Sequence, residues 1–321
     1  MSRANRSTRT IRIIIAAALL AATSLTVLAL AGCGAPTASA PAPSSAPAPA
    51  AFPVTITDDA SNTVTIKAEP KRIVSLAPAN TEIAFALGLG DKVVGVTTFD
   101  DYPAAVKTIA KVGDFTTPNL EAIAAAKPDL ILATTGVQAD VVKKLEALGA
   151  TVIVVDPRNL EGVYTDIGRV GQATGTAEKA AAVVDGMKSD VTDVQNAVQG
   201  LPAVATFVEI GQNPLFTAGS GTLIDELIKL ADGTNVVTRP GYVAYSAEQL
   251  IKADPQVYMA TKGSSSDPSS IATRAGFSGL SAVKNKRIVI LDDNLVSRPG
   301  PRVIEGLRQI AAGLHPEAFN K

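Results

Sequence analysis

Residues 119–133 read Asn-Leu-Glu-Ala-Ile-Ala-Ala-Ala-Lys-Pro-Asp-Leu-Ile-Leu-Ala, and residues 246–260 read Ser-Ala-Glu-Gln-Leu-Ile-Lys-Ala-Asp-Pro-Gln-Val-Tyr-Met-Ala. They are two copies of one pattern. In each, a capping residue (Asn119 or Ser246) stands two places before a glutamate (Glu121 or Glu248), and a proline (Pro128 or Pro255) follows the glutamate by seven residues. Asn and Ser side chains accept hydrogen bonds from the free N–H groups of a first helical turn. Proline disfavours helical geometry in the residue before it. The apolar runs that follow, Leu130 to Leu132 and Val257 to Met259, fit buried strands. Repetition is evidence about architecture. It predicts two similar lobes, each with an acidic residue at the start of a short helix. Taken singly, each glutamate is explained by the helix dipole, worth about 0.3–1 kcal/mol. The matched placement adds a shared docking role to weigh.

The surrounding sequence extends this pattern. Val54 to Ile66 alternates around Asp58-Asp59-Ala60-Ser61-Asn62 and predicts a hairpin. Strands are expected at Arg72–Leu76, Val93–Val96, Thr151–Val155, Ala203–Ile210 and Arg287–Leu291. Helices are expected from Asn80 to about Gly88, Val141–Leu148, Leu223–Leu230 and Val303–Ala312. Alternating strands and helices predict mostly parallel sheets covered by helices. Between the halves, Ala180, Val184, Met187, Val191, Val194 and Val198 recur at helical spacing. One amphipathic helix over 177–199 would be about 34 Å long. It reads either as a strut between lobes or as a surface helix of one lobe. The expected divisions are 52–176, 177–199 and 200–321.

The N-terminus carries Arg3, Arg6, Arg9 and Arg12, then an apolar run from Ile13 to Ala31, then Gly32-Cys33. This reads as a secretory signal over 1–32. The run is long, so an uncleaved anchor competes. Cys33 is the only cysteine and follows Leu30-Ala31-Gly32. That pattern resembles the lipobox of bacterial lipoproteins, which decides for a lipidated Cys33 tethered through the Ala/Pro/Ser-rich residues 33–51. No thiol then remains for a disulfide, a metal or redox chemistry. Without residues 1–32, 25 basic residues face 30 acidic ones, a net charge of −5. A mildly acidic chain without basic clusters argues against nucleic acid.

The chain has eight Phe, five Tyr and no Trp. Phe99, Phe115, Phe216 and Tyr242 stand in polar, Gly- or Pro-containing surroundings and are expected in loops, two from each half. Ligands of open α/β sheets bind beyond the carboxyl ends of strands. A pocket between lobes is therefore predicted, with Arg298 as a candidate polar group. The alternative is that each ring tucks onto the core separately. The single histidine, His315, is expected at the surface, and one His makes a His-cluster metal site or a Ser-His-Asp triad a poor reading. Gly219-Ser220-Gly221 is not a nucleophile elbow, and no dinucleotide or Walker motif is present. Ser264 to Ser270 is read as a polar loop. No catalytic residue, metal or cofactor is expected.

Several segments resemble one known family. They are Arg72-Ile73-Val74-Ser75-Leu76-Ala77-Pro78-Ala79-Asn80-Thr81-Glu82, Val94-Gly95-Val96, Asp101-Tyr102-Pro103, Asn119-Leu120-Glu121, Lys127-Pro128-Asp129, Asn213-Pro214 with Phe216-Thr217, and Ser297-Arg298-Pro299-Gly300-Pro301-Arg302. Together they resemble the cobalamin and iron-siderophore substrate-binding proteins of bacterial ABC importers, over about Phe52 to His315. The resemblance implies two Rossmann-like α/β lobes joined by a single long helix, the class III periplasmic-binding-protein fold, with little hinge motion. It implies a monomer that meets an ABC permease and its ATPase subunits through one glutamate on each lobe, at the positions of Glu121 and Glu248. The likeness is strongest to the cobalamin-binding members, whose ligand-contacting aromatics match Phe99, Phe115, Phe216 and Tyr242. Cobalamin, or another large ligand such as a ferric siderophore, would be cargo rather than cofactor. The chain departs from those members where they carry Trp and it has Phe115, Tyr242 and Thr134, and where they carry Phe and it has Ile210. The haem-binding members use a Tyr in the loop before the Asn119 helix; Asp114-Phe115 here argues against haem.

Overall fold

The computed structural model describes residues 51–263 and 267–319. The expected signal segment, the lipidated Cys33 and nearly all of the tether lie outside the described residues. In the first half, β1 (Val54–Thr57) and β2 (Thr63–Ile66) form an antiparallel hairpin. Strands β3 (Ile73–Ser75), β4 (Val93–Gly95), β5 (Leu130–Ala133) and β6 (Val152–Val154) make a wholly parallel sheet in the order β4-β3-β5-β6. Helices α1 (Pro78–Ala86), α2 (Leu120–Ala125) and α3 (Ala139–Ala147) connect them. Helix α1 starts two residues earlier than expected, with Pro78 in its first turn, and this buries Asn80, Thr81 and Glu82 inside the helix.

In the second half, β7 (Val204–Gly211), β8 (Phe216–Ala218), β9 (Gly233–Asn235), β10 (Tyr242–Ala244), β11 (Val257–Lys262) and β12 (Ile288–Asp292) form a mixed sheet. Its order is β10-β8-β7-β11-β12, with β9 beside β7. Strands β7, β9, β11 and β12 are parallel, whereas β8 runs antiparallel to both its neighbours, β7 and β10. Its helices, which follow α4 (Leu160–Thr174) and α5 (Ala177–Val198) in the chain, are α6 (Leu223–Leu230), α7 (Ala247–Ala253), α8 (Ser281–Lys284), α9 (Asp293–Val296), α10 (Val303–Leu314) and α11 (Pro316–Phe319). The polar segment before α8 contains a 3-10 helix, Pro268–Thr273, capped by Asp267, rather than plain loop.

Between the sheets lie α4 (Leu160–Thr174) and α5 (Ala177–Val198). Helix α5 packs on α4 on one side and on α10, α6 and α11 on the other. Gly171 makes the first contact close: a Cβ there would sit 2.5 Å from the Ala180 Cβ. One connected apolar core therefore runs from Ile73 and Leu130 of the first sheet, through Val163, Met187 and Val194, to Val208 and Met259 of the second. His315, expected at the surface, is buried at the end of α10. It closes a helix whose apolar face, with Leu307, Ile310 and Leu314, is itself buried.

The two repeated stretches fold alike. Asn119 accepts from the Ala122 N–H, and Ser246 from the Gln249 N–H in a full capping box. The residues before the prolines, Lys127 and Asp254, both take the left-handed backbone region, with φ of 45° and 41°. The residues after the prolines repeat a further device. Asp129 accepts from the Lys71 and Arg72 N–H groups, and Gln256 from that of Ala205, so each ties its strand to the neighbouring parallel strand. The results are β5, flanked by β3 and β6, and β11, flanked by β7 and β12.

The hairpin covers the free edge of β6. Asp58 accepts from the Ala60, Asn62 and Val154 N–H groups, and Asp59 accepts from that of Asp156. An unpaired edge is thus closed by side-chain carboxylates. Behind it, Arg169 binds both Asp59, at 2.8 Å, and Asp166. Burial, then the hydrogen bond and negative charge of Asp59, push the Asp166 carboxyl up to about 8 against the pull of Arg169. A folded-state pKa above the unfolded 3.8 means that folding takes up a proton, so this contribution to stability falls as pH rises from about 4 to about 8. Asp59 lies below its ordinary value, since its hydrogen bonds to Asp166 and Asp156 and its contact with Arg169 outweigh burial, so its opposite contribution falls below about pH 4. Asp166→Asn is expected to melt above the unaltered protein at pH 8, with the gap closing toward pH 5. Heat unfolding across that range checks this; a gap that widens on acidification would contradict the assignment.

Candidate functional site

All four strands of the first sheet deliver their carboxyl ends to one cavity of about 670 Å³, open to solvent. After β3 come Ala77 and Pro78, after β4 Phe99, after β5 Thr134, and after β6 Asp156 and Arg158. The facing wall comes from the second half: Thr222 and Leu223 at the start of α6, Tyr242 at the start of β10, and Asp293, Asn294 and Ser297 beyond β12. The cavity thus lies at the crevice where open α/β sheets bind ligands, here between two of them.

Phe115 is held by a braced loop. Gly113, at φ 106°, lets the chain double back, since a Cβ there would meet the Asn119 N at 2.7 Å. Asp114 accepts from the backbone N–H groups of Thr117 and Thr116 and from both hydroxyls, which hold its carboxyl below the ordinary value. Buried Gln138 donates to the Phe115 carbonyl at 2.8 Å and to the Leu76 carbonyl at 2.7 Å. Phe99 and Tyr242 are large apolar surfaces left open, at 58% and 50% exposure, and both face the same cavity. Burial of part of the ring pushes the Tyr242 phenol above its ordinary value.

Of the four rings expected to converge, Phe99, Phe115 and Tyr242 line this cavity and Phe216 does not. Phe216 is no loop residue: it opens β8, paired with Gly211 on one side and Ala244 on the other. Tyr242 also begins a strand rather than standing in a loop. Thr134, aligned with a ring in the sequence comparison, lines the cavity; Ile210 lies in β7 outside it. Glu121 and Glu248 are exposed in the first turns of α2 and α7, and neither makes an ion pair or side-chain hydrogen bond among the described residues. No group of three or more His, Cys, Asp or Glu among the described residues could hold a metal ion.

Arg298 lines the cavity, but its guanidinium is already engaged. It binds Glu82 at 3.1 Å and Asp101 at 2.6 Å, both from the first half, and is only 16% exposed. Arg302 closes on the same Glu82 through two hydrogen bonds, of 3.0 and 2.7 Å, and lies over the Tyr102 ring at 3.8 Å. Asn294 donates to Asp101 at 3.0 Å. Burial raises the Asp101 carboxyl, but the bond and charge of Arg298 outweigh it and hold the group below its ordinary value. These contacts clamp the two halves beside the cavity. Removing the charge of buried Glu82 would leave two largely buried arginines facing a neutral group. Breaking one side of a buried ion pair costs on the order of 3 kcal/mol. Glu82→Gln is therefore expected to lose about that much stability in urea unfolding; a loss under about 1 kcal/mol would deny the clamp its role.

Comparison with known proteins agrees with this geometry. A family model described as "Periplasmic binding protein" matches residues 73–295. An "Uncharacterized ABC transporter substrate-binding lipoprotein YvrC" of Bacillus subtilis is 39% identical over 310 residues, covering 94% of this chain and 98% of that protein. The crystal structure described as that of a possible iron-binding (periplasmic solute-binding) protein of Staphylococcus epidermidis is 35% identical, with a TM-score of 0.70, covering 77% of this chain and all of the other. The periplasmic vitamin B12 binding protein BtuF of Vibrio cholerae is 28% identical, with a TM-score of 0.68, covering 78% of this chain and 99% of that one.

Proposed function

The chain belongs to the periplasmic binding protein family, as a substrate-binding protein of an ABC transporter, and from that premise we propose that its cargo is a corrinoid, cobalamin first among them. The observation that carries this reading is the cavity with Phe99 and Phe115 on one wall and Tyr242 on the other. Flat apolar rings on both sides suit a large, rigid macrocycle, which they would hold by its faces and edges at little entropic cost. The open mouth suits a ligand larger than the cavity itself. The similarity to a vitamin B12 binding protein supports the same choice.

In this reading Cys33 carries a lipid that holds the protein outside the membrane, and residues 34–51 act as the leash. Glu121 and Glu248 dock on the permease. Both are exposed in matching first turns and make no ion pair or side-chain hydrogen bond among the described residues, so each carboxylate can meet a basic pocket and steer the encounter. The protein acts as a monomer and releases its cargo unchanged.

A ferric siderophore is the second reading, favoured by the 35% identity to a protein described as possibly iron-binding. Heat unfolding distinguishes the two. With cobalamin at a hundredfold excess over Kd, the protein should gain about 2.7 kcal/mol, a rise in Tm of roughly 5 °C or more. The variant Glu121→Ala/Glu248→Ala should show the same rise yet support no uptake. A rise with a ferric siderophore and none with cobalamin would replace the corrinoid. Loss of the rise in the double variant would move these glutamates from the docking face to the binding site.

A further inference from the structure

Two arginines line the cavity, and they differ in what they leave open. Arg298 is 16% exposed and bound to Glu82, Asp101 and the Phe99 carbonyl. Arg158 is 78% exposed. Only its Nη2 is engaged, donating to the Asp156 carboxylate at 3.1 Å and to the Thr135 hydroxyl at 3.2 Å. Its Nε and Nη1 bond nothing among the described residues.

The local structure holds this side chain through Nη2. Arg158 sits between β6 and α4, next to Asn159, which caps α4 through the Gly162 N–H at 2.7 Å. Asp156 is fixed from two directions: its N–H donates to Asp59, and its carboxylate accepts from the Thr135 hydroxyl. The acids nearby are themselves committed. Asp156 serves Thr135 and Arg158, and Asp293 accepts from the Ser297 hydroxyl at 2.7 Å. Tyr242, on the facing wall, lies within electrostatic reach of both Arg158 and Asp293. A guanidinium held through Nη2 keeps N–H donors open on Nε and Nη1, either of which can give a charge-assisted hydrogen bond to a carboxylate or phosphate oxygen.

The geometry points to Arg158 as a specificity-determining residue that reads one anionic group on the cargo, a phosphodiester or a carboxylate. This rests on the cavity being the cargo site. The two acids that line the cavity, Asp156 beside Arg158 and Asp293 on the facing wall, limit the match to a single anionic group and disfavour a polyanion. For a corrinoid, the group is the phosphodiester of the nucleotide loop, which cobalamin has and cobinamide lacks.

Calorimetric titration of the unaltered protein, Arg158→Ala and Arg158→Lys with cobalamin and cobinamide tests this. Ferrioxamine B succinylated at its amine, which adds one carboxylate, and its acetylated counterpart, which adds none, form a second pair. Arg158→Ala should weaken the member of the bound pair that carries the anionic group by about tenfold or more, as loss of a charge-assisted hydrogen bond does, and change the member without it by less than about twofold. Arg158→Lys should recover part of the loss. The ligand without the anionic group also reports that the variant is folded. Equal losses for both members, or no loss for either, would overturn the role of Arg158 while leaving the cavity as the cargo site. Binding of none of the four by the unaltered protein would overturn the cargo reading and this inference with it.

Discussion

A buried carboxylate held by two arginines sets the shape of this molecule. Glu82 comes from the first helix of one half, and Arg298 and Arg302 from the segment before α10 of the other. A charge that deep is tolerated only with partners in place. Arg302 supplies two hydrogen bonds and Arg298 a third, while Arg298 reaches on to Asp101. The helical pair α4 and α5 joins the same halves through a continuous apolar core. The cavity is bounded by these connections, so its walls stand at a spacing set by the fold. Arg298 belongs to that framework, and Arg158 is the more exposed of the two arginines on the cavity, bound through Nη2 to Asp156 and Thr135.

How much of this is legible in the chain follows from the range of each interaction. The repeated stretches are readable because caps, first-turn acids and prolines act within a few residues. The long helix is readable because Ala180, Met187, Val194 and Val198 bury at the spacing that the sequence displays. Helix α4 has no clear signal in the sequence. Gly162, Gly168 and Gly171 lower its helix propensity, yet Gly171 is what lets α5 approach, so tertiary packing chose the helix and its glycines together. The short strands β8 and β10 were also hidden, three residues each and stabilised by pairing with one another and with β7. For that reason Phe216 and Tyr242 looked like loop residues.

The candidate site divides the same way. Phe99, Phe115 and Tyr242 stand out as rings in polar surroundings, and the rule of strand carboxyl ends points to their meeting place. Arg298 stands out beside Pro299 and Gly300, but its partners lie about two hundred residues away in sequence, and nothing local announces them. Arg158 carried no signal except its position just past a strand, the same position that marks Phe99 and Thr134. The burial of His315 could not be read from its place near the end of the chain.

The central physical claim is that the halves are clamped at a fixed separation and receive cargo without closing on it. Spin labels at Lys143 on α3 and Lys252 on α7, both exposed, in a Cys33→Ser background, would measure that separation by dipolar coupling. The account predicts one narrow distance distribution that moves by no more than about 1 Å when cobalamin or a ferric siderophore binds. A broad distribution without ligand, or a shift well beyond about 2 Å on binding, would mean that the halves hinge and that the Glu82 cluster does not hold them.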